Sequence, residues 1–447
     1  MKAFVLDPPR CTGCEACRVA CSIENRIPME HSWRTVQHVN ADHRPDTPAF
    51  HLSLACNHCA RPACLDACPA SAYAKDPATG AVLLDDTRCI GCRYCAWACP
   101  YDAPRFDVTR GVMTKCTFCV DRLRRGQTPA CAAACPTGAL GIEELRTNLA
   151  EPTFPGLFPG GLGPALRIGE AGGPIAPAMA GVCSAEGTAW LTPAAAPPRK
   201  VSLRSEWTLW LFTLVSTTLV GLHLAWASGG PRLLQPWSFL ALGSLAGCLS
   251  LSHLGRPERA WRALSNLRTS WLSREVMGFG IFLPAAVLSQ MQDDRGAWAW
   301  TAAVLGMFLL VAMDRLYQVV ERRPPWRVRS ADLLPAGLNL AALAAGALPA
   351  LGLLAFLRAG LYLSVVLRRG RRNISPATVV ARMAALVLPV LALVLGTGVP
   401  AWASLACFLV GEALDRAGFY EGLDIPAPAS LLGARASGII SGFADPA

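Results

Sequence analysis

Sixteen of the chain's 19 cysteines lie between Cys11 and Cys135, in four groups: CTGCEACRVAC (11–21), CNHCARPACLDAC (56–68), CIGCRYCAWAC (89–99) and CTFCVDRLRRGQTPACAAAC (116–135). Thiols this dense are either disulfide staples or metal ligands. The opening MKAFVLDPP has neither the apolar stretch nor the small-residue cleavage site of an export signal. Clustered thiols without export point to metal rather than to disulfides. A run of C-x2-C-x2-C places three sulfurs around one iron–sulfur cube. A fourth cysteine three residues on, usually followed by proline, serves another cluster. Cys68, Cys99 and Cys135 precede Pro69, Pro100 and Pro136, whereas Cys21 precedes Ser22.

Zinc is the competing metal. Structural zinc favours two separated C-x2-C pairs, and four groups of four with three trailing prolines favour iron–sulfur instead. His58 occupies a spacer position of the second group and is read as a neighbour of the site or a surface residue, not a ligand. The head contains no nucleophile–base pair and no phosphate loop. It reads as a wire for single electrons.

The elements that position these groups are expected to be short strands, turns and brief helices, in an α+β fold of bacterial-type ferredoxin repeats over residues 1–149. So many thiols leave little room for an apolar core, so metal is expected to carry much of the stability. Residues 150–205 are rich in Pro, Gly and Ala and read as a linker, or as a tail lying over the head. Cys183 stands alone there, with no ligand spacing around it.

From residue 206 to 447 the character changes. The whole chain is 53% hydrophobic and 16% charged, with mean hydropathy +0.35, and the long apolar runs all belong to this part. An all-α membrane bundle is expected, with helices near 207–227, 237–254, 272–290, 297–320, 332–348, 351–367, 379–396 and 399–414. Net charge is +10, but the basic residues are mostly arginine clusters beside apolar runs, the mark of cytoplasmic loops rather than of nucleic-acid binding. Eight spans place 16 Lys and Arg residues on one side and only Arg232, Arg295 and Arg358 on the other. The same parity puts the head on the cytoplasmic side of the inner membrane.

Ionisable groups at bilayer depth are costly and usually functional. His253 closes the second expected helix and Glu275 opens the third, on the head side near Arg256 and Arg274. A quinol that loses two electrons must also lose two protons, and a His and a Glu at the bilayer edge are suited to accept them. The alternative is a helix-end cap at His253 and an ion pair of Glu275 with Arg256 or Arg274. His223 ends the first helix on the opposite side, so the two histidines do not form a haem pair, and no haem is expected.

The cysteine pattern, with its unusual eleven-residue spacer from Cys119 to Cys131, resembles the four-cluster electron-transfer subunit of the dimethyl sulfoxide reductase and polysulfide reductase type. The resemblance implies four [4Fe–4S] clusters. Cys11, Cys14 and Cys17 would share one with Cys135, and Cys21 would join Cys116, Cys119 and Cys131. Cys56, Cys59 and Cys64 would join Cys99, and Cys68 would join Cys89, Cys92 and Cys95.

The stretches HLGRPERAWRAL…SWLSRE (253–275), DRLYQVVERRPPW (314–326) and GEALDRAGFYEGL (411–423) resemble the membrane anchor subunit of dimethyl sulfoxide reductases. That family implies eight helices, no haem and oxidation of menaquinol, with His253 and Glu275 at the quinol site and Asp314, Arg315 and Tyr317 nearby. An ion pair tying helices together is the other reading of those three residues. The expected partner is a separate molybdopterin-containing catalytic subunit, since nothing in this chain would hold molybdopterin. Its substrate, whether sulfoxide, N-oxide, polysulfide or another small oxyanion, is not legible. The same wire run in reverse would reduce quinone for a formate- or sulfur-oxidising complex. A zinc-binding membrane scaffold without redox role is the alternative from another class.

Overall fold

A computed structural model describes residues 2–39, 50–144, 161–169, 201–321, 333–369, 376–396 and 399–422. The described residues divide into two compact units, 2–169 and 201–422.

The first unit is built from short elements. Strand β1 (Lys2–Leu6) is the centre of a three-stranded sheet. It pairs antiparallel with β8 (Leu140–Glu144) and parallel with β9 (Leu166–Ile168). Part of the segment read as linker or tail thus supplies a strand to the head. Further backbone bonds from Ala60 to Gly163 and from Ala165 to Asn57 hold it there. Three two-stranded ribbons complete the sheets: β2 (Thr35–Val39) with β3 (Phe50–Leu54), β4 (Tyr73–Lys75) with β5 (Val82–Leu84), and β6 (Arg105–Asp107) with β7 (Val112–Thr114).

Five short helices carry cysteines in or beside them: α1 (Ala16–Asn25), α2 (Ala63–Ala67), α3 (Tyr94–Ala98), α4 (Val120–Arg124) and α5 (Ala130–Ala133). The trailing prolines explain their lengths. Proline lacks the N–H that a helix needs and disfavours helical geometry in the residue before it. Helices α2 and α3 therefore stop at Cys68 and Cys99, which cap them. Cys21 is followed by serine, and α1 runs on to Asn25.

The expectation of a head with little apolar core is corrected. Phe4, Leu6, Phe50, Leu52, Leu54, Phe118, Leu140, Leu162 and Leu166 form one buried cluster, with Cys17 and Cys131 among them. Alternate residues of β1, β3 and β9 fill the space between thiols, so hydrophobic burial and metal ligands share one interior.

Among the described residues, the second unit contains eight α-helices of 12 to 25 residues: α6 (Leu203–Ala227), α7 (Pro236–Ser252), α8 (Trp271–Met291), α9 (Ala297–Glu321), α10 (Leu333–Ala344), α11 (Leu348–Arg369), α12 (Pro376–Val394) and α13 (Ala401–Gly422). They lie near the expected spans, but α6 begins at Leu203, where the Ser202 hydroxyl accepts from the Ser205 N–H, α10 ends at Ala344 instead of near 348, and α13 runs on to Gly422 instead of ending near 414. Three are long and apolar enough to cross a membrane: Leu203–Ala227, Trp271–Met291 and residues Ala297–Gln318 of α9. A fourth candidate is α7 with the 3-10 helix Pro257–Leu264, bent by 105° where Pro257 interrupts the chain.

Helix α8 packs on α9, α6 on α10, and α12 on α13. Small residues permit these approaches. A Cβ at Gly221 of α6 would stand 2.9 Å from the Gly337 carbonyl oxygen of α10.

Candidate functional site: four thiol sets and a buried polar seam

Each C-x2-C turn adopts one shape. The residue before the second cysteine has positive φ in all four: Gly13 (70°), His58 (42°), Gly91 (73°) and Phe118 (62°). This turn aims a backbone N–H back at the first sulfur. His58 donates to Cys56 Sγ at 3.5 Å, Gly91 to Cys89 Sγ at 3.4 Å, and Phe118 to Cys116 Sγ at 3.3 Å. Glycine adopts this geometry freely, and His58 and Phe118 do so at a steric cost.

The turns and the later cysteines meet in pairs. One cavity is lined by Cys11, Cys14, Cys17 and Cys135 (the Cys11 set). A second is lined by Cys56, Cys59, Cys64 and Cys99 (the Cys56 set). A third is lined by Cys68, Cys89, Cys92 and Cys95 (the Cys68 set). The remaining thiols are mutual electrostatic neighbours: Cys21 with Cys131 and Cys119, and Cys116 with Cys21 (the Cys21 set). Each set joins sulfurs from two sequence groups. Among the described residues, no His, Cys, Asp or Glu trio is gathered as closely as a single metal ion requires.

Burial raises the pKa values of several of these thiols. It pushes Cys21 up to about 11, aided by the negative charge of Cys131, and it raises Cys64 and Cys92 strongly. Cys135 is the exception. Burial raises it, but hydrogen bonds from the Leu140 N–H and from Thr137 outweigh that and hold it below the ordinary thiol range. A nearby cation would ease deprotonation of the raised thiols. The residues fit iron–sulfur clusters: four converging sulfurs per set, apolar walls, and N–H donors aimed at sulfur.

His58 is buried, which removes it from the surface. Its Nδ1 accepts from the Val82 N–H at 3.0 Å, and burial, with Lys115 and Arg34 nearby, keeps the ring neutral.

In the second unit His253 ends α7 and its Nδ1 meets the Ser250 carbonyl. Glu275 lies buried on the first turns of α8. Arg256 reaches Glu258 at 3.6 Å. Arg274 lies over the Trp271 ring and donates to the carbonyls of Leu267 and Arg268. Tyr317 of α9 is buried, and Glu275 is among its electrostatic neighbours. Asp314 accepts from the N–H groups of Leu333 and Leu334, capping α10. Arg315 is exposed and bonds Gln318 one turn on.

Several buried polar residues escaped the sequence reading as site residues. Tyr420 meets Tyr317 hydroxyl to hydroxyl at 2.5 Å. Arg416 donates to Thr217 at 2.9 Å. Arg358 pairs with Glu412 at 2.6 Å, and Arg382 pairs with Asp415. Glu412, Asp415, Arg416 and Tyr420 recur at three- and four-residue steps along α13, which was the available signal. His223 is also buried, with Nε2 at 3.0 Å from the Ala299 carbonyl and Nδ1 at 3.3 Å from Gln290.

Comparison with known proteins follows the same division. Residues 48–145 match a 4Fe-4S dicluster domain, and residues 233–368 match the DMSO reductase anchor subunit. Over 157 residues the sequence is 42% identical to one chain of the anaerobic dimethyl sulfoxide reductase of Haemophilus influenzae, covering 32% of the present chain and 76% of that protein. It is 38% identical over 146 residues to a tetrathionate reductase subunit of Salmonella typhimurium, with 32% and 58% covered. It is 37% identical over 158 residues to a sulfite dehydrogenase subunit of Allochromatium vinosum, with 31% and 66% covered. The polypeptide therefore belongs to the dimethyl sulfoxide reductase family, as an iron–sulfur electron-transfer subunit joined to a membrane anchor subunit.

Proposed function

We propose that the chain oxidises menaquinol in the inner membrane and passes the electrons through four [4Fe–4S] clusters to a separate molybdopterin-containing catalytic protein. The observation that carries this reading is the gathering of sixteen thiols into four sets in a chain that also matches the anchor subunit. The Cys11, Cys21, Cys56 and Cys68 sets would each hold one cluster. When bound, the clusters supply one-electron storage at potentials that the surrounding residues set.

The chain's own groups handle protons and position. A quinol gives up two electrons and two protons. Glu275 takes one proton on its carboxylate and His253 takes the other on its imidazole. Burial among Tyr317 and Tyr420 keeps bulk water from Glu275. Arg256 lies at the bend, Arg274 on the first turn of α8, and Arg315 on an outer face. Asp314 caps α10 and, with Tyr317, is taken to lie in the quinol vicinity. All eight helices are taken as spans, and the arginine-rich loop sequences support a head on the cytoplasmic side.

The reverse direction, quinone reduction for an oxidising partner, is favoured by one observation, the similarity to a subunit of a sulfite dehydrogenase.

Anaerobic purification tests the reading. Brown protein with about four irons per thiol set is expected, and colourless protein holding zinc would replace the wire with a scaffold. Quinol-driven cluster reduction should fall at least about 100-fold in His253→Ala and Glu275→Gln, the size of a lost proton acceptor. Unchanged rates would remove both from the mechanism.

A further inference from the structure

Arg34 is 1% exposed, the residue before β2, and deep in the head. Its Nη1 donates to the Ser53 carbonyl at 3.0 Å and to the Ser53 hydroxyl at 3.1 Å. That hydroxyl lies 3.2 Å from Cys17 Sγ. The guanidinium covers the Phe4 ring at 4.5 Å. Its Nε and Nη2 are buried without a hydrogen-bond partner. The negative groups that act on it are sulfurs: Cys131 and Cys116 first, then Cys17 and Cys21.

A bare guanidinium is expensive to bury unless an opposite charge faces it. Here the opposite charge comes from thiols of two different sets, the Cys11 set and the Cys21 set. Arginine remains protonated throughout the working range, so its charge is fixed. A cluster held by four thiolates is anionic and becomes more so by one charge when it takes an electron. A fixed cation between two such sites therefore favours the reduced form of both.

We infer that Arg34 is a potential-setting residue shared by two clusters, holding those of the Cys11 and Cys21 sets above the potentials their thiolates alone would give. This rests on the four-cluster reading. The other two sets have cations of their own: Lys115 acts on Cys64 of the Cys56 set, and Arg88, more weakly, on Cys68.

The test is a redox titration of the full chain in membranes, followed by electron paramagnetic resonance. In Arg34→Gln, two of the cluster signals should titrate at least tenfold less favourably, 59 mV lower for one electron, while the other two stay in place. Arg34→Lys should stay near the unmodified values. Four unmoved midpoints in Arg34→Gln, with iron content retained, would overturn the inference. Should Arg34→Gln lose iron, Ser53→Ala decides. It removes one of the two Ser53 contacts of the guanidinium, and because the hydroxyl also touches Cys17, the Cys21-set signal decides: a smaller drop is expected there, and no drop there overturns the inference. An unmodified protein without any cluster signal would instead overturn the four-cluster reading.

Discussion

The imidazole of His58 lies flat on the ring of Phe118, centroids 4.6 Å apart and planes within 13°. The two residues hold the same position in two C-x2-C turns, and both take positive φ, where the other two turns use glycine. The strain of an L-residue in that region, of order 1–2 kcal/mol each, is offset by the buried stack. The stack joins the turn that serves the Cys56 set to the turn that serves the Cys21 set.

Truncation of one ring should therefore be felt at two sites. Phe118 is fully buried, so Phe118→Ala should cost about 3–5 kcal/mol and release iron from the Cys21 and Cys56 sets first. Iron counts and signal intensities during mild heating would show this. Release spread evenly over all four sets would contradict the coupling.

The buried thiols make cluster assembly pH-dependent. Burial, with Cys131 beside it, lifts Cys21 to about 11, so at pH 7 to 9 the empty site holds a proton there. Iron binding must expel that proton and those of the other raised thiols. Each step down in pH adds to that cost. Reconstitution of iron-free protein should thus improve from pH 7 to pH 9, with protons released in proportion to iron taken up. Equal yields across that range would mean that the thiols are already ionised.

Much of the head was legible because ligand spacing is local. A C-x2-C turn is a few residues long, and a proline after the last cysteine ends a helix whatever surrounds it. What the sequence could not convey depends on distant pairs. Phe4, Leu52, Phe118 and Leu166 build an apolar core only after four segments converge. Arg34 looks like a surface residue until β2 and β3 pair and bring Ser53 to it. His58, a spacer by position, becomes an interior residue for the same reason. In the second unit the apolar runs marked the approximate positions of the helices, and apolarity over about 20 residues is carried by three of them, or four with the bent pair. The three- and four-residue steps on α13 were visible, but their partners Arg358, Arg382, Thr217 and Tyr317 lie on four other helices.

Those partners make a second prediction about stability. Arg358 and Glu412 are both nearly inaccessible and 2.6 Å apart. Removing one charge strands the other, at about 3–5 kcal/mol. Glu412→Ala should lower the melting temperature of the detergent-purified protein far more than the double variant Arg358→Met with Glu412→Met, which leaves no charge behind. Equal losses would show that the pair acts by shape alone.

The Tyr317–Tyr420 contact separates proton handling from electron transfer. Tyr420→Phe keeps the ring, which packs edge-on against Tyr317 and Phe419, and deletes only the hydroxyl that Tyr317 meets at 2.5 Å. Both hydroxyls act electrostatically with Glu275, so the substitution changes the setting of the carboxylate while the thiol sets are untouched. Quinol-driven cluster reduction should slow about tenfold, roughly the equivalent of one hydrogen bond. Reduction by dithionite, which bypasses the membrane half, should keep its unmodified extent. A variant slow with both donors would indicate damage to the clusters. A variant slow with neither would place the reacting quinol away from this pair.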